Sequence, residues 1–145
     1  MTRSSLTLEE FVEKALEVPF LDRGRSYDGW DCWGVICVAY WDVAGIFVPS
    51  YADGYKGTSG REEYDRLERL VATNRQGDWI PARPPFRPLD VPLFRIAGRP
   101  IHVGLMVDHQ RMVHSEERVG TFIERLGSPM WTKRLEGVYR HADLG

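Results

Sequence analysis

Five prolines at positions 81, 84, 85, 88 and 92 divide this chain in two. Each lacks a backbone N–H and fixes φ at about −65°, so no long helix can run through that segment. Before it, apolar residues recur at helical spacing; after it, they fall in the short alternating runs of strands. Helices first and strands later predict an α+β domain in which N-terminal helices pack on an antiparallel sheet.

The helical half has three segments. "TLEEFVEKALEV" opens with a Thr7-x-x-Glu10 capping box and carries Phe11, Val12, Ala15 and Leu16 on one face until Pro19 stops it. A loop containing Gly24, Ser26 and Gly29 follows. The run from Cys32 to Val43 is apolar on nearly every side, which predicts a buried central helix closed at Gly45. "REEYDRLERLVATN" is the third, with Tyr64, Leu67, Leu70 and Val71 as its apolar stripe. At 145 residues and 43% hydrophobic content, the chain is long enough for one domain, residues 1–145, with a sizeable core.

Charge excludes some partners. Nineteen basic and 21 acidic residues give a net charge of −2 with no block of either sign, so nucleic acid is not an expected partner. No apolar stretch approaches membrane-spanning length, and the first twenty residues lack the apolar core of a signal peptide. A soluble protein without membrane insertion is expected. Cys32 and Cys37, five apart in one helix, project from different faces and cannot bridge, so both thiols are expected to be free.

Two placements carry chemistry. With Asp31 as N-cap, Cys32 becomes the first helical residue, beside unpaired amides and the positive end of the helix dipole, both of which favour a thiolate. Further on, "IHVGLMV" and "RMVHS" flank a turn expected at Asp108. A turn centred there pairs residues whose numbers sum to about 216, which sets His102 opposite His114, with Cβ atoms roughly 4.5–5.5 Å apart. Gly104, on the same face as His102, leaves room for a substrate or another backbone to approach. A thiol, an imidazole base and a third polar group are the requirements of cysteine acyl transfer, and Cys32, His102 and His114 are the residues available. The alternative for Cys32 is a small buried residue at a helix boundary, and for each histidine a structural or surface role; Cys37, His109 and His141 keep those roles. A metal site from Cys32, His102, Asp108 and His114 lacks any close ligand pair to anchor it, and neither metal nor cofactor is expected.

Asp31-Cys32-Trp33-Gly34 before an apolar helix, His102-Val103-Gly104 on one strand and Val113-His114-Ser115 on the next resemble the NlpC-type cell-wall peptidases, small papain-like cysteine endopeptidases of bacteria and their phages. The likeness runs from about Pro19 to Ser115, and "PLDVPLFR" is similar to the strand before the family's histidine. It implies N-terminal helices on a five- or six-stranded antiparallel sheet, with Cys32 as nucleophile, His102 as base and His114 as the orienting residue. It also implies cleavage of peptidoglycan stem peptides between γ-D-glutamate and the diamino acid, without metal or cofactor. Two positions depart from the family. Trp33 stands where serine is frequent, reshaping the acyl site, and Phe20 stands where a tyrosine hydroxyl would assist the oxyanion. With Phe20 there, the Cys32 amide and another backbone donor carry that role. The stand-alone form and the "YDGWDCWG" text resemble versions encoded among phage tail genes. That implies synthesis in the cytoplasm without a signal peptide, delivery on a virion tail to the bacterial wall, and other tail proteins as partners; the alternative is a catalytically weak tail component.

Overall fold

The computed structural model describes residues 5–145, so the part of the signal-peptide reading that concerns residues 1–4 lies outside the described residues. Helix α1 (Leu8–Ala15) begins as the capping box requires. Thr7 Oγ1 accepts from the Glu10 amide at 3.1 Å, and Glu10 Oε1 accepts from the Thr7 amide at 3.0 Å. Phe11 and Ala15 are buried, but Leu16 is 45% exposed and Val18 takes its place in the core. The segment expected to be loop forms a short antiparallel ribbon, β1 (Arg25–Ser26) with β2 (Gly29–Trp30). Helix α2 (Cys32–Ala39) is buried from Gly34 onward. Its last turn widens into a π-helix over Tyr40–Ala44, and Gly45, at φ 70°, closes it as expected. Helix α3 (Arg61–Asn74) matches its expected span, yet none of its residues is buried.

Seven strands follow: β3 (Trp79–Pro81), β4 (Val91–Ile96), β5 (Arg99–Val103), β6 (Leu105–Met106), β7 (Arg111–Glu116), β8 (Gly120–Arg125) and β9 (Leu135–His141), with the short helix α4 (Pro129–Thr132) before the last. They form two antiparallel ladders, β3-β9-β4-β5 and β6-β7-β8, rather than one continuous sheet of five or six strands. The break falls at Gly104, between β5 and β6. There the Gly104 amide donates to Pro92 O at 3.1 Å and the Met106 amide to Asp90 O at 2.8 Å, which keeps the ladders side by side.

The β6–β7 register corrects the sequence expectation. Leu105 faces Val113 and Met106 faces Met112, a sum of 218 rather than 216, so the turn is centred on His109. Asp108 causes the shift: its Oδ1 accepts from the Gln110 and Arg111 amides at 2.9 and 2.7 Å, starting the turn one residue later. The position opposite His114 therefore belongs to Gly104. A Cβ at Gly104 would lie 2.9 Å from Met112 Sδ and 3.6 Å from His114 Cβ. The space beside that glycine is filled by its neighbours and is not open to substrate.

The main core packs α1 and α2 against β4, β5, β6 and β7 through Phe11, Trp30, Val35, Ile36, Tyr40, Val91, Leu93, Val103, Leu105 and Val113. A second cluster, Phe94, Met106, Met112, Leu126 and Trp131, sits behind the histidines. Tyr40 anchors α2 to the sheet by donating its hydroxyl to Leu89 O. His141 is buried, not at the surface as expected, because its turn of β9 points inward, where Trp79 meets it edge-on at 5.0 Å.

The tightest approach in the helical layer is at Gly34. A Cβ there would meet Gly24 O at 2.3 Å and Trp30 Cβ at 2.6 Å, both rigidly placed. Gly34→Ala is expected to destabilise the protein by roughly 3 kcal/mol, read as a lower midpoint in urea. An unchanged midpoint would mean that the β1–β2 ribbon and α2 can separate freely.

Candidate active site

The site is built around the start of α2. Asp31 is only 1% exposed, and a buried carboxylate must have its charge answered. Its side chain accepts from the Gly34 amide at 3.0 Å, the Arg23 amide at 2.9 Å and Arg25 Nη1 at 2.8 Å, and also from the Tyr55 hydroxyl. The expected N-cap is thus present, and it fixes Cys32 as the first helical residue, half-buried as a whole.

The expectation of a resting thiolate needs correction. Burial first, then the neighbouring Asp31 carboxylate, push the Cys32 thiol up to about 12. The Val103 and Trp33 amides and Arg25 act in the opposite direction but do not win. Both effects follow from the same cap: what aims the helix also places a negative charge next to the sulfur. Cys37 is likewise pushed to about 12 by burial, and its sulfur rests against Pro49 O at 3.7 Å, the structural role expected of it.

His102, on β5, and His114, on β7, do meet, although through a different register. His102 Nε2 lies 2.9 Å from His114 Nδ1, and His114 Nε2 lies 3.1 Å from Glu124 Oε1. Glu124 Oε2 in turn accepts from Trp131 Nε1 at 2.7 Å. A carboxylate can only accept, so His114 carries its proton on Nε2 and offers Nδ1 as an acceptor. His102 then donates from Nε2, which leaves its Nδ1 unprotonated and free to receive a proton. Trp131 also stacks on His102 with ring centres 5.4 Å apart and meets His114 edge-on at 5.0 Å. Burial, reinforced by His114 and Arg134, lowers His102 to about 3. The resting pair is a neutral thiol and a neutral imidazole.

Sequence reasoning missed Glu124 and Trp131. A signal for Glu124 existed: it shares a strand face with Phe122, which pairs with the buried His114, so a charge there points inward.

Cys32 and His102 open into one cavity of about 380 Å³. Phe20 and Trp33 line it, as do Tyr64, Leu67, Leu70 and Val71 from α3, which explains why that stripe is only half-buried. Trp33 is held by an indole bond to Pro49 O at 2.8 Å, whereas Trp30 lies wholly in the core. Asp31 also borders the cavity, but Gly104 does not. Among the described residues, His102, His114 and Glu116 are the histidine and carboxylate set whose ligand atoms converge, within 4.8 Å of one another. Asp108, occupied by the β6–β7 turn, takes no part.

The sequence pattern of the NlpC/P60 family matches residues 17–140. The chain belongs to the NlpC/P60 family. No curated protein sequence matches it. Solved structures do: an NlpC/P60 family protein from Bacillus cereus ATCC 10987 has a TM-score of 0.66 at 19% identity, covering 95% of this chain and 41% of that one. A protein similar to an NLP/P60 family lipoprotein from Staphylococcus aureus subsp. aureus Mu50 has a TM-score of 0.56 at 20% identity, covering 97% and 45%. This chain therefore spans less than half of those two proteins. The NlpC/p60 domain of peptidoglycan hydrolase SagA has a TM-score of 0.59 at 14% identity, and here 93% of this chain covers 99% of that one. The α+β fold of helices on antiparallel strands is the one these structures share. Members of the family are typically cysteine hydrolases of peptidoglycan.

Two outcomes follow from the charge arrangement. In Glu124→Gln, one amide cannot accept from both His114 and Trp131, so the His114 tautomer is no longer fixed. In the hydrolase proposed below, turnover should fall on the order of tenfold with KM little changed; an unaltered kcat would mean that Glu124 does not set the His114 tautomer. The second concerns stability. His102 titrates near 6.5 when unfolded and near 3 when folded, so between those values the unfolded chain binds the extra proton. Stability should be full above pH 6.5 and decline as pH falls toward 3. Urea midpoints across that range should drop for the wild type and drop less for His102→Gln.

Proposed function

We propose that this protein is a cysteine endopeptidase of peptidoglycan stem peptides, with Cys32 as nucleophile, His102 as base and His114 as the residue that orients it. The observation that carries the reading is the directed chain from Glu124 through His114 to His102, ending at a free Nδ1 in the same cavity as the Cys32 thiol. The similarity to the NlpC/p60 domain of a peptidoglycan hydrolase supports the substrate class.

The reaction runs from a neutral pair. As the Cys32 sulfur attacks the amide carbonyl carbon, its proton passes to His102 Nδ1. The imidazolium then protonates the amine, the C–N bond breaks and a thioester remains on Cys32. Water attacks the thioester carbon as it gives a proton to His102, the C–S bond breaks, His102 returns that proton to the Cys32 sulfur, and the product acid is released. The Cys32 amide, at the open end of α2, is placed to stabilise the oxyanion where Phe20 has no hydroxyl to offer. Proton transfer onto His102 is favoured in the tetrahedral intermediate, because the imidazolium then faces a new negative charge that the resting site lacks.

Within this reading, the bond cut is that between γ-D-glutamate and the diamino acid, and the protein acts at the bacterial wall as part of a phage tail, with other tail proteins beside it. The support for both is the "DCWG", "HVG" and "VHS" text together with "YDGWDCWG". Among the described residues no helix is long and apolar enough to cross a membrane. The resting protonation state, with the thiol near 12, is what favours the second reading, a tail component with little turnover.

Mass spectrometry of stem peptides and whole sacculi, incubated with wild type and with Cys32→Ala, separates the two. New fragments made by wild type alone, with their masses placing the cut, are expected. Folded wild type that yields no fragments from any stem peptide would reject the endopeptidase and leave the structural reading.

A further inference from the structure

We propose that His102, His114 and Glu116 form a zinc-binding site, and that a zinc ion bound there switches off the Cys32 machinery. The three side chains come from two strands, β5 and β7, that lie in different ladders. His114 and Glu116 are two residues apart on β7 and so project from one face, and His102 reaches them from β5. Their ligand atoms already lie within 4.8 Å of one another.

Two imidazoles and a carboxylate make a borderline donor set that suits zinc better than magnesium or calcium, which prefer all-oxygen shells. The support around the set is also that of a metal centre. A ligating histidine holds its orientation by donating its other ring N–H to a carboxylate, and His114 does so to Glu124 at 3.1 Å. That carboxylate is itself fixed by Trp131 Nε1 at 2.7 Å. The nitrogen left facing His102 is therefore a ready lone pair, His114 Nδ1. Zinc holds nitrogen ligands at about 2.0–2.1 Å, so tetrahedral ligand atoms sit about 3.3 Å apart. His102 Nε2 and His114 Nδ1 are now 2.9 Å apart. A ring displacement of about half an ångström, with the Glu116 carboxylate swinging in by up to about 1.5 Å, admits the ion, and the proton it displaces from His102 Nε2 passes to His102 Nδ1 or to water. Three protein ligands leave the fourth position open, and His102 and Glu116 both border the cavity that holds Cys32.

Binding would break the His102–His114 hydrogen bond and put a divalent charge on the ring whose Nδ1 must accept the thiol proton. A metallated imidazole is a poor base, so the first step of the reaction stops. The binding half of this inference needs no activity; the switching half rests on the proposed cysteine hydrolase.

The full chain carrying Cys32→Ala separates this site from simple capture of zinc by the thiol. Calorimetry with zinc alone is expected to show one ion per chain, and cobalt(II) in its place should give the intense visible bands of a tetrahedral centre. Adding Glu116→Ala, at a half-exposed position, should weaken zinc affinity by about tenfold or more. In the Cys32-containing protein, zinc should stop stem-peptide cleavage, a chelator should restore it, and Glu116→Ala should raise the zinc needed by a similar factor. No zinc binding by Cys32→Ala, or binding indifferent to Glu116→Ala, overturns the site. Tight binding that leaves cleavage running overturns the switch. If wild type cleaves nothing, the hydrolase reading falls, and with it the switch, while calorimetry on Cys32→Ala still decides the site.

Discussion

The Asp31 carboxylate is the interaction on which the site depends. Almost fully withdrawn from water, it is stable only if strong donors converge on it, and four do: two backbone amides, a guanidinium and a phenol. These donors come from the segment before α2, from α2 itself and from Tyr55, so one charge ties three stretches of chain to a single point. The starting turn of α2 cannot slide or fray without leaving a buried charge unanswered, which costs several kcal/mol. That rigidity sets the position of Cys32. It also carries a chemical cost, because a carboxylate one residue from the sulfur opposes ionisation of the thiol. Placement has been favoured over resting activation.

The opposite wall of the site resolves that conflict. A thiol that does not ionise alone needs a base with the correct nitrogen vacant, and a neutral imidazole has two tautomers. Glu124 removes the choice. Because it can only accept, it dictates the His114 tautomer, and His114 then dictates that of His102. Trp131 contributes twice, by fixing Glu124 and by packing against both rings, so that neither can rotate away from the chain of hydrogen bonds.

Much of this was legible in the sequence, and the reasons differ by residue. The capping box at Thr7, the N-cap at Asp31, the closure at Gly45 and the span of α3 rest on local backbone chemistry, which a sequence carries directly. The partnership of His102 with His114 was legible because β5, β6 and β7 are short and follow one another closely, with β6 continuing β5 past Gly104. The register was not, since Asp108 uses its side chain to begin the turn and moves the ladder by two. The error did little harm: a long imidazole on the diagonal still reaches its neighbour, while the glycine takes the directly opposed position. The strand-face signal of Glu124 is readable only once β8 is paired with β7, and Trp131 was hidden because its role depends on α4 folding back behind β7, a tertiary relation with no local signature. Burial of His141 was missed for the same reason, as it depends on Trp79 from a strand about sixty residues earlier.

A neutral resting pair changes what the cavity must do. Within the proposed reaction, an ionised thiol would need only the arrival of substrate; with both partners neutral, charge has to be created during attack, in a site walled by Leu67, Leu70, Trp33 and Phe20. An apolar wall penalises isolated charges more than close pairs, because a pair separated by a few ångströms is seen from a distance as a dipole. In the proposed reaction, thiolate with imidazolium, and then oxyanion with imidazolium, would be such pairs, whereas thiolate beside neutral imidazole would not. There, the same burial that keeps Cys32 and His102 uncharged when alone would couple the two proton positions, so that sulfur loses its proton as His102 gains it. On the proposed reading the site is quiet without a substrate carbonyl to receive the electrons, and the half-buried apolar stripe of α3 is part of the wall that keeps it so.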